Sequence, residues 1–123
     1  MKTETFTRDI GDKGESLAKA FLEKEGLTFV EQNFTTKTGE IDLIMKEKQA
    51  YIFVEVRLRQ VNDYVSALES ITPQKQNRIK RTVILYLQQQ ALMDKVDCRI
   101  DVIAITQHND THEIEWIKNA IFD

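Results

Sequence analysis

The sequence predicts an α/β sandwich, in which helices pack against a β-sheet. Segments with apolar residues at helical spacing occur near the N-terminus and again after Pro73. Segments that alternate between apolar and polar residues follow each of them. The resulting order of helix, strands, helix and strands is typical of a sheet covered by helices.

The composition is that of an ordinary globular protein. A length of 123 residues predicts one domain over 1–123. The formal net charge of -3 excludes a uniformly basic protein, so nucleic-acid binding would need a local basic patch. The N-terminal MKTETFTRDI lacks the apolar core of a signal peptide, and no apolar run is long enough to span a membrane. Cys98 is the only cysteine, which excludes an internal disulfide and favours a reducing cytoplasm.

Residues 8–25 predict the first helix, with Thr7 as its N-cap and Gly26 at its C-terminal end. Gly14 weakens a helix by about 1 kcal/mol relative to alanine, so it is either tolerated or needed where another backbone approaches. Glu15 lies on the border of the apolar stripe. It is either an acidic residue favoured near a helix N-terminus or a carboxylate directed toward the sheet.

Residues 27–33 predict a strand, and 35–39 predict a turn-rich connection. Residues 39–59 then predict two strands joined by a tight turn at Lys48-Gln49. One face of this hairpin is entirely apolar and must be covered, since it carries Ile41, Leu43, Met45, Ile52, Val54, Val56 and Leu58. The other face carries Ile44, Tyr51 and Phe53 near the turn, and Glu40, Asp42, Glu55, Arg57 and Arg59 away from it.

The charges of this hairpin are unfavourably placed for a simple antiparallel pair. Its register sets Asp42 opposite Glu55 and Glu40 opposite Arg57, and facing like charges destabilise a sheet because their Cβ atoms are about 5 Å apart. Two carboxylates held in this way indicate a bound cation or a shared proton. The alternative is a solvated charge ladder, in which Glu40 pairs with Arg57 and Asp42 with Arg59.

Phosphodiester chemistry is one use of such a pair. Mg²⁺ keeps several waters and needs only one or two carboxylates, so Asp42 and Glu55 are candidate ligands. Arg57 is then placed to stabilise the charge that develops on a phosphate.

Thr72-Pro73 predicts the start of a long helix, with Thr72 as the cap and Pro73 at the first position. The helix runs to about Gln90 and buries Ile79, Val83, Tyr86 and Leu87. Its first half is basic without an acid, since it holds Lys75, Arg78, Lys80 and Arg81. This run is either a solvated helix face or a nucleic-acid contact surface. Lys75 lies one turn before the buried stripe, which directs it toward the carboxylates.

The remaining segments are less regular. Residues 60–71 predict a loop with a helical turn over 65–68. Residues 98–106 and 113–118 predict two further strands, joined by a turn over 108–111.

GEIDLI followed by FVEVR resembles the YraN family of uncharacterised small bacterial proteins. GDKGESLAKAFL, ITPQKQNRI and CRIDVIAI agree with that family in the same order, so the resemblance covers nearly the whole chain. The family in turn resembles the restriction-endonuclease-like, PD-(D/E)xK nuclease superfamily, which includes archaeal Holliday-junction resolvases. The resemblance implies a restriction-endonuclease-like three-layer sandwich, with a central mixed β-sheet flanked by helices.

The resemblance also implies a Mg²⁺-dependent phosphodiesterase site. Asp42 and Glu55 would be the metal ligands, and Glu15 an acidic partner from the first helix. The chain has Ile41 where the superfamily pattern has proline, and Arg57 where it usually has lysine. Arginine keeps its proton at ordinary pH, so it cannot act as a general base, although it binds phosphate and orients water.

These observations lead to one expected function and two alternatives. We expect a nuclease that uses Mg²⁺ or Mn²⁺ and acts on branched or damaged DNA. Arg57 would contact the scissile phosphate, and Arg59, Lys75 and Arg78 would contact the DNA backbone. A non-catalytic nucleic-acid- or protein-binding module with the same fold is the first alternative, and a structural partner in a larger complex is the second. Cutting of a DNA junction would favour a homodimer.

Overall fold

The computed structural model describes residues 7–62 and 65–122, with the side chains of the first helix described from Gly14 onward. Two helices and five strands follow one another along the chain. They are α1 (Thr7–Lys24), β1 (Thr28–Thr36), β2 (Gly39–Glu47), β3 (Ala50–Gln60), α2 (Pro73–Gln89), β4 (Cys98–His108) and β5 (Thr111–Ile121). No helix in the described ranges is both long and apolar enough to cross a membrane.

The five strands form one mixed sheet in the order β1-β2-β3-β4-β5. β3 and β4 are parallel, and the other neighbouring pairs are antiparallel. α2 makes the crossover between the two parallel strands, as a parallel pair requires. Helices lie on both faces of the sheet, so the predicted α/β class, with a mixed sheet flanked by helices, is confirmed.

Each face of the sheet has its own hydrophobic cluster. On the α1 face, Ala18 and Leu22 are buried against Leu43, Met45, Ile52, Val54, Ile103 and Ile105. On the α2 face, the predicted helix stripe is buried against Phe34, Ile41, Ile44, Phe53, Ile71, Ile100, Val102 and Ile121. The sheet is therefore covered on both sides, and the apolar half of the hairpin's second face lies under α2.

α1 matches the predicted helix to within one residue at each end. Gly26 has φ 103°, and the Leu27 N–H donates to the Leu22 carbonyl at 3.0 Å, which closes the helix. A Cβ atom on Gly14 would lie 3.0 Å from Leu58 Cδ2, so the glycine allows close approach of α1 to β3. The predicted capping by the Thr7 side chain lies outside the described side chains.

The strand ends differ from the prediction at both edges of the sheet. β1 extends to Thr36, so Lys37-Thr38 alone form the turn that was predicted over 35–39. β5 covers Thr111–Ile121 rather than 113–118. Edge strands expose one side to water, and their polar residues hide the alternation by which strands are recognised.

The central hairpin has the predicted turn but not the predicted continuous pairing. The β2–β3 register runs from Glu47–Ala50 to Leu43–Val54. Beyond it, β2 stays paired with β1 as far as Gly39, and β3 stays paired with β4 as far as Gln60. The two strand pairs thus separate at Asp42, and we call the opening between β2 and β3 the fork.

The fork also changes which face of β2 its residues occupy. Ile41 belongs to the α2-side cluster together with Ile44, whereas Leu43 belongs to the α1-side cluster. The prediction that Ile41 shares a face with Leu43 is therefore wrong, because strict alternation does not hold through Asp42.

The first half of α2 is fixed beside the fork by a helix cap at its start and by close packing against β2 further along. The Lys75 N–H donates to Thr72 Oγ1 at 3.2 Å, and Pro73 occupies the first turn, as predicted. A Cβ atom on Gly39 would lie 3.2 Å from Thr82 Oγ1, so the start of β2 lies directly against the helix. In the preceding loop, the predicted helical turn over 65–68 lies one to two residues later, at Ala67–Ser70.

Candidate metal and phosphate site

Asp42 and Glu55 meet inside the fork. Asp42 is 8% exposed, and its Oδ2 accepts a hydrogen bond from the Val56 N–H at 2.8 Å. This bond occupies a backbone donor that would otherwise be unpaired where the ladder ends. The Glu55 side chain is 15% exposed and lies close enough to Asp42 for its charge to raise the pKa of that carboxyl. Two carboxylates held this close repel each other unless a proton or a cation lies between them.

The pKa values of both carboxyls reflect this crowding. Burial raises the pKa of Asp42 to about 8, and the charge of Glu55 adds to the shift, followed by the charges of Glu15 and Glu40. The Val56 N–H opposes it. Burial also raises the pKa of Glu55, against the opposing charge of Arg57. The fork thus holds more negative charge than its surroundings stabilise, which is the condition that favours a bound cation or a retained proton.

Arg57 lies directly beside the carboxylates. Its Nη2 atom is 3.1 Å from Glu55 Oε2, and its side chain is 24% exposed. Its buried Nε atom has no hydrogen-bond acceptor among the described residues. An unsatisfied buried donor is costly, and a phosphate oxygen is an acceptor that guanidinium groups bind well.

A cleft of about 240 Å³ lies between the fork and α2. It is lined by Gly39, Glu40, Asp42, Glu55, Arg57, Lys75, Arg78 and Ile79. Lys75 is close enough that its charge lowers the pKa of Glu55, in opposition to burial. The structure therefore brings the two predicted helix cations, Lys75 and Arg78, to the same cleft as the carboxylates.

Glu15 lies at the other side of the fork. It lines a second cavity, of about 300 Å³, together with Asp42, Glu55 and Arg57. Its Oε1 atom accepts a hydrogen bond from Gln32 Nε2 at 3.2 Å. The interpretation of Glu15 as a carboxylate directed toward the sheet is thus the one that the structure favours.

The residues of the fork fit a hard divalent cation with water in its shell. Among the described residues, no group of three or more His, Cys, Asp or Glu side chains has the geometry of a metal site, so Glu15 does not complete a three-carboxylate cage. Two adjacent buried carboxylates are nevertheless the usual protein share for Mg²⁺, which keeps several waters. Their raised pKa values are consistent with ligands whose charge needs a cation.

Arg59 is not brought to the cleft. Its guanidinium donates to the Val65 carbonyl in the loop before α2. The alternative of a charge ladder receives no support from these contacts, since Arg57 pairs with Glu55 rather than with Glu40.

Two polar residues that sequence reasoning did not select are organised around these elements. Gln32, on β1, holds Glu15, but its partner is 17 residues away, so no local pattern marks it. Asp101, on β4, is fully buried and accepts hydrogen bonds from Arg99 Nε, Trp116 Nε1 and the Asn119 N–H. Asp101 is therefore satisfied within the fold and spans the irregularity in the β4–β5 pairing. An acid inside an apolar strand was its only sequence signal.

The fold and the site together define an α/β protein with paired carboxylates in a cleft lined by basic side chains. The chain belongs to the uncharacterised protein family UPF0102, whose model matches residues 14–105. The resemblance to the YraN family is thereby confirmed.

Close relatives match over nearly their whole length. A UPF0102 protein of Coxiella burnetii (strain RSA 331) is 43% identical over 117 residues, which is 95% of each chain. One from Vibrio vulnificus (strain YJ016) is 47% identical over 115 residues, or 93% of each chain. Among solved structures, Pyrococcus furiosus SfsA in complex with Ca²⁺ is 14% identical, with a TM-score of 0.35, over 90% of this chain and 63% of that one. This likeness is too weak to carry an argument.

Proposed function

We propose that this protein is a metal-dependent nuclease that cleaves phosphodiester bonds in branched or damaged DNA. The observation that carries the proposal is the fork, where Asp42 and Glu55 meet beside Arg57 in a cleft that α2 closes with basic side chains. The resemblance to the PD-(D/E)xK superfamily supports the same assignment. The overall net charge of -3 requires that DNA bind to a local basic surface, and Lys75 and Arg78 on the α2 side of the cleft would supply one.

Each residue has a distinct part in this proposal. Asp42 and Glu55 would hold Mg²⁺ or Mn²⁺, with Glu15 binding the outer water shell. Such an ion, when bound, polarises a phosphoryl oxygen and lowers the pKa of a bound water. Arg57 contacts the scissile phosphate through its guanidinium.

Other side chains bind the DNA beyond the reacting phosphate. Lys75 and Arg78 contact DNA phosphates from α2, and Arg59, which lies outside the cleft, contacts the backbone further along the DNA. A homodimer would suit a two-fold junction substrate, and the single cysteine suits the cytoplasm.

A non-catalytic DNA-binding module is the second candidate. Arg57 favours it, because arginine cannot exchange a proton at ordinary pH and here it is already paired with Glu55. Such a module would bind DNA through the same cleft without hydrolysing it.

A measurement of metal binding distinguishes the proposed metal site from a purely structural role of Asp42 and Glu55. Titration of Mg²⁺ or Mn²⁺ by calorimetry should give one site in the wild type, and Asp42→Asn or Glu55→Gln should remove it. Glu23→Gln, which changes an exposed acid on α1, is the matched control and should bind normally. Absence of metal binding by the wild type would remove the basis of the proposal.

Cleavage then separates the enzyme from the binding module. Branched, flapped, single-stranded and duplex DNA should be tested with Mg²⁺ and Mn²⁺ over a range of salt concentrations. The proposal expects cutting of at least one branched substrate, lost in Asp42→Asn. Binding without cutting would establish the second candidate, and cutting that survives Asp42→Asn would point to a contaminating nuclease.

A further inference from the structure

We propose that Lys75 contacts the reacting phosphate itself, rather than the neighbouring backbone, and supplies the main positive charge that stabilises the transition state. This inference rests on the proposed nuclease function. It assigns a catalytic residue on α2, a different element from the strands that hold the carboxylates.

The two cations Arg57 and Lys75 differ in how far their charge is already compensated inside the cleft. The Arg57 guanidinium is already compensated by Glu55 at 3.1 Å. Full use of that charge on a phosphate would weaken a half-buried ion pair, which is unfavourable. Lys75 acts on Glu55 electrostatically, but none of the salt bridges among the described residues includes its ammonium. Its charge is therefore available to a substrate.

Lys75 is carried by a rigid part of the fold. Lys75 lies in the first turn of α2, which the Thr72 cap and Pro73 begin. One turn later Ile79 is buried in the α2-side cluster, and Thr82 lies against Gly39. A cation on such a fixed element can be aimed at developing charge without reorganisation during the reaction, which is what makes it effective.

The electrostatic potential at the first turn of α2 is positive. The first turn of α2 contains no acidic residue, so the positive end of the helix dipole is not neutralised there. Arg78 lines the same cleft but is exposed, so water screens its charge more strongly. Lys75, by contrast, is half-buried. Among the α2 cations it is thus the one best placed to act on chemistry rather than on binding.

The test separates the rate of cleavage from the affinity for DNA. Single-turnover rates are measured at saturating protein with the cleaved substrate, and Kd is measured by fluorescence anisotropy in EDTA. Lys75→Met should lower the saturating rate by about 10²–10³-fold while changing Kd by less than about threefold. Arg78→Met should act mainly on Kd.

Two controls keep the result interpretable. Arg81→Met changes an exposed cation of α2 outside the cleft and should alter neither quantity. In a Cys98→Ala background, Lys75→Cys should be nearly inactive, and alkylation with 2-bromoethylamine, which restores an ammonium at that position, should recover cleavage. Circular dichroism and thermal melting of each variant establish that it is folded.

The outcomes are distinguishable from those of the proposed function. If the wild type cleaves DNA and Lys75→Met changes only Kd, the inference is wrong and the nuclease assignment stands. Cleavage by unalkylated Lys75→Cys at the wild-type rate would overturn it equally. If the wild type cleaves no DNA with either metal, the nuclease assignment fails and the role of Lys75 fails with it.

Discussion

Replacing Asp42 by asparagine should stabilise the metal-free protein at neutral and alkaline pH. The pKa of Asp42 is raised from 3.8 to about 8, first by burial and then by the charge of Glu55. Between these two pH values the unfolded chain loses this proton and the folded protein retains it. The free energy of unfolding must therefore fall as pH rises through that window, and the raised pKa of Glu55 acts in the same direction.

The size of the effect follows from the shift. One pKa unit corresponds to about 1.4 kcal/mol, so the change from 3.8 to about 8 sets an upper bound of about 6 kcal/mol at pH 9. Water in the open cleft screens part of this, and we expect a gain of about 2–3 kcal/mol. An asparagine oxygen can still accept from the Val56 N–H, and the neutral side chain no longer repels the charge of Glu55.

Urea denaturation in EDTA from pH 4 to 9 measures this difference. The fluorescence of Trp116, the only tryptophan, reports unfolding. The advantage of Asp42→Asn should be near zero at pH 4 and reach its full value near pH 9, whereas Glu23→Gln should show no such trend. An Asp42→Asn protein that is less stable than the wild type at pH 8, or a difference independent of pH, would refute the electrostatic account of the fork.

Three further outcomes are expected. Mg²⁺ at 10 mM should raise the melting temperature of the wild type at pH 8 but not that of Asp42→Asn, because an ion that binds only the folded state stabilises that state. Equal shifts in the two proteins would mean that the ion binds elsewhere. Asp101→Ala should cost about 3–5 kcal/mol in urea denaturation, because the Trp116 Nε1–H and the Asn119 N–H lose their acceptor and the half-buried Arg99 keeps only Glu47 as a carboxylate partner. Glu115→Ala, which changes an exposed acid on β5, should cost less than about 0.5 kcal/mol, and a small effect at Asp101 would contradict its structural role. Thr72→Ala should cost about 1 kcal/mol through loss of the α2 cap, and Thr72→Ser should retain most of it.

Features set by neighbouring residues could be predicted from the sequence. The turn at Lys48-Gln49 and the Thr72-Pro73 start of α2 follow from local chemistry, and both are confirmed. The hairpin register that follows from the turn is correct over Leu43–Glu47 and led directly to the Asp42 and Glu55 pair.

Features set by contacts between distant segments could not be predicted. A two-residue period assumes an unbroken ladder, so it placed Ile41 on the wrong face and missed the fork. The partners of Asp101 on β5 lie 15 and 18 residues away, and the partner of Gln32 lies on α1. Their roles depend on how the elements meet in space, which no local pattern records.

The fork has a consequence for the size of ion that the proposed metal site would accept. Asp42 is carried by the β1–β2 pair and Glu55 by the β3–β4 pair, so no ladder hydrogen bond fixes the distance between their carboxylates. The start of the first pair lies instead against α2, where a Cβ atom on Gly39 would be 3.2 Å from Thr82 Oγ1. Mg²⁺ requires oxygen ligands at about 2.0–2.1 Å, and Ca²⁺ accepts about 2.3–2.6 Å. If the fork holds a cation as proposed, its preference between these two ions would depend in part on a helix contact that touches neither ligand.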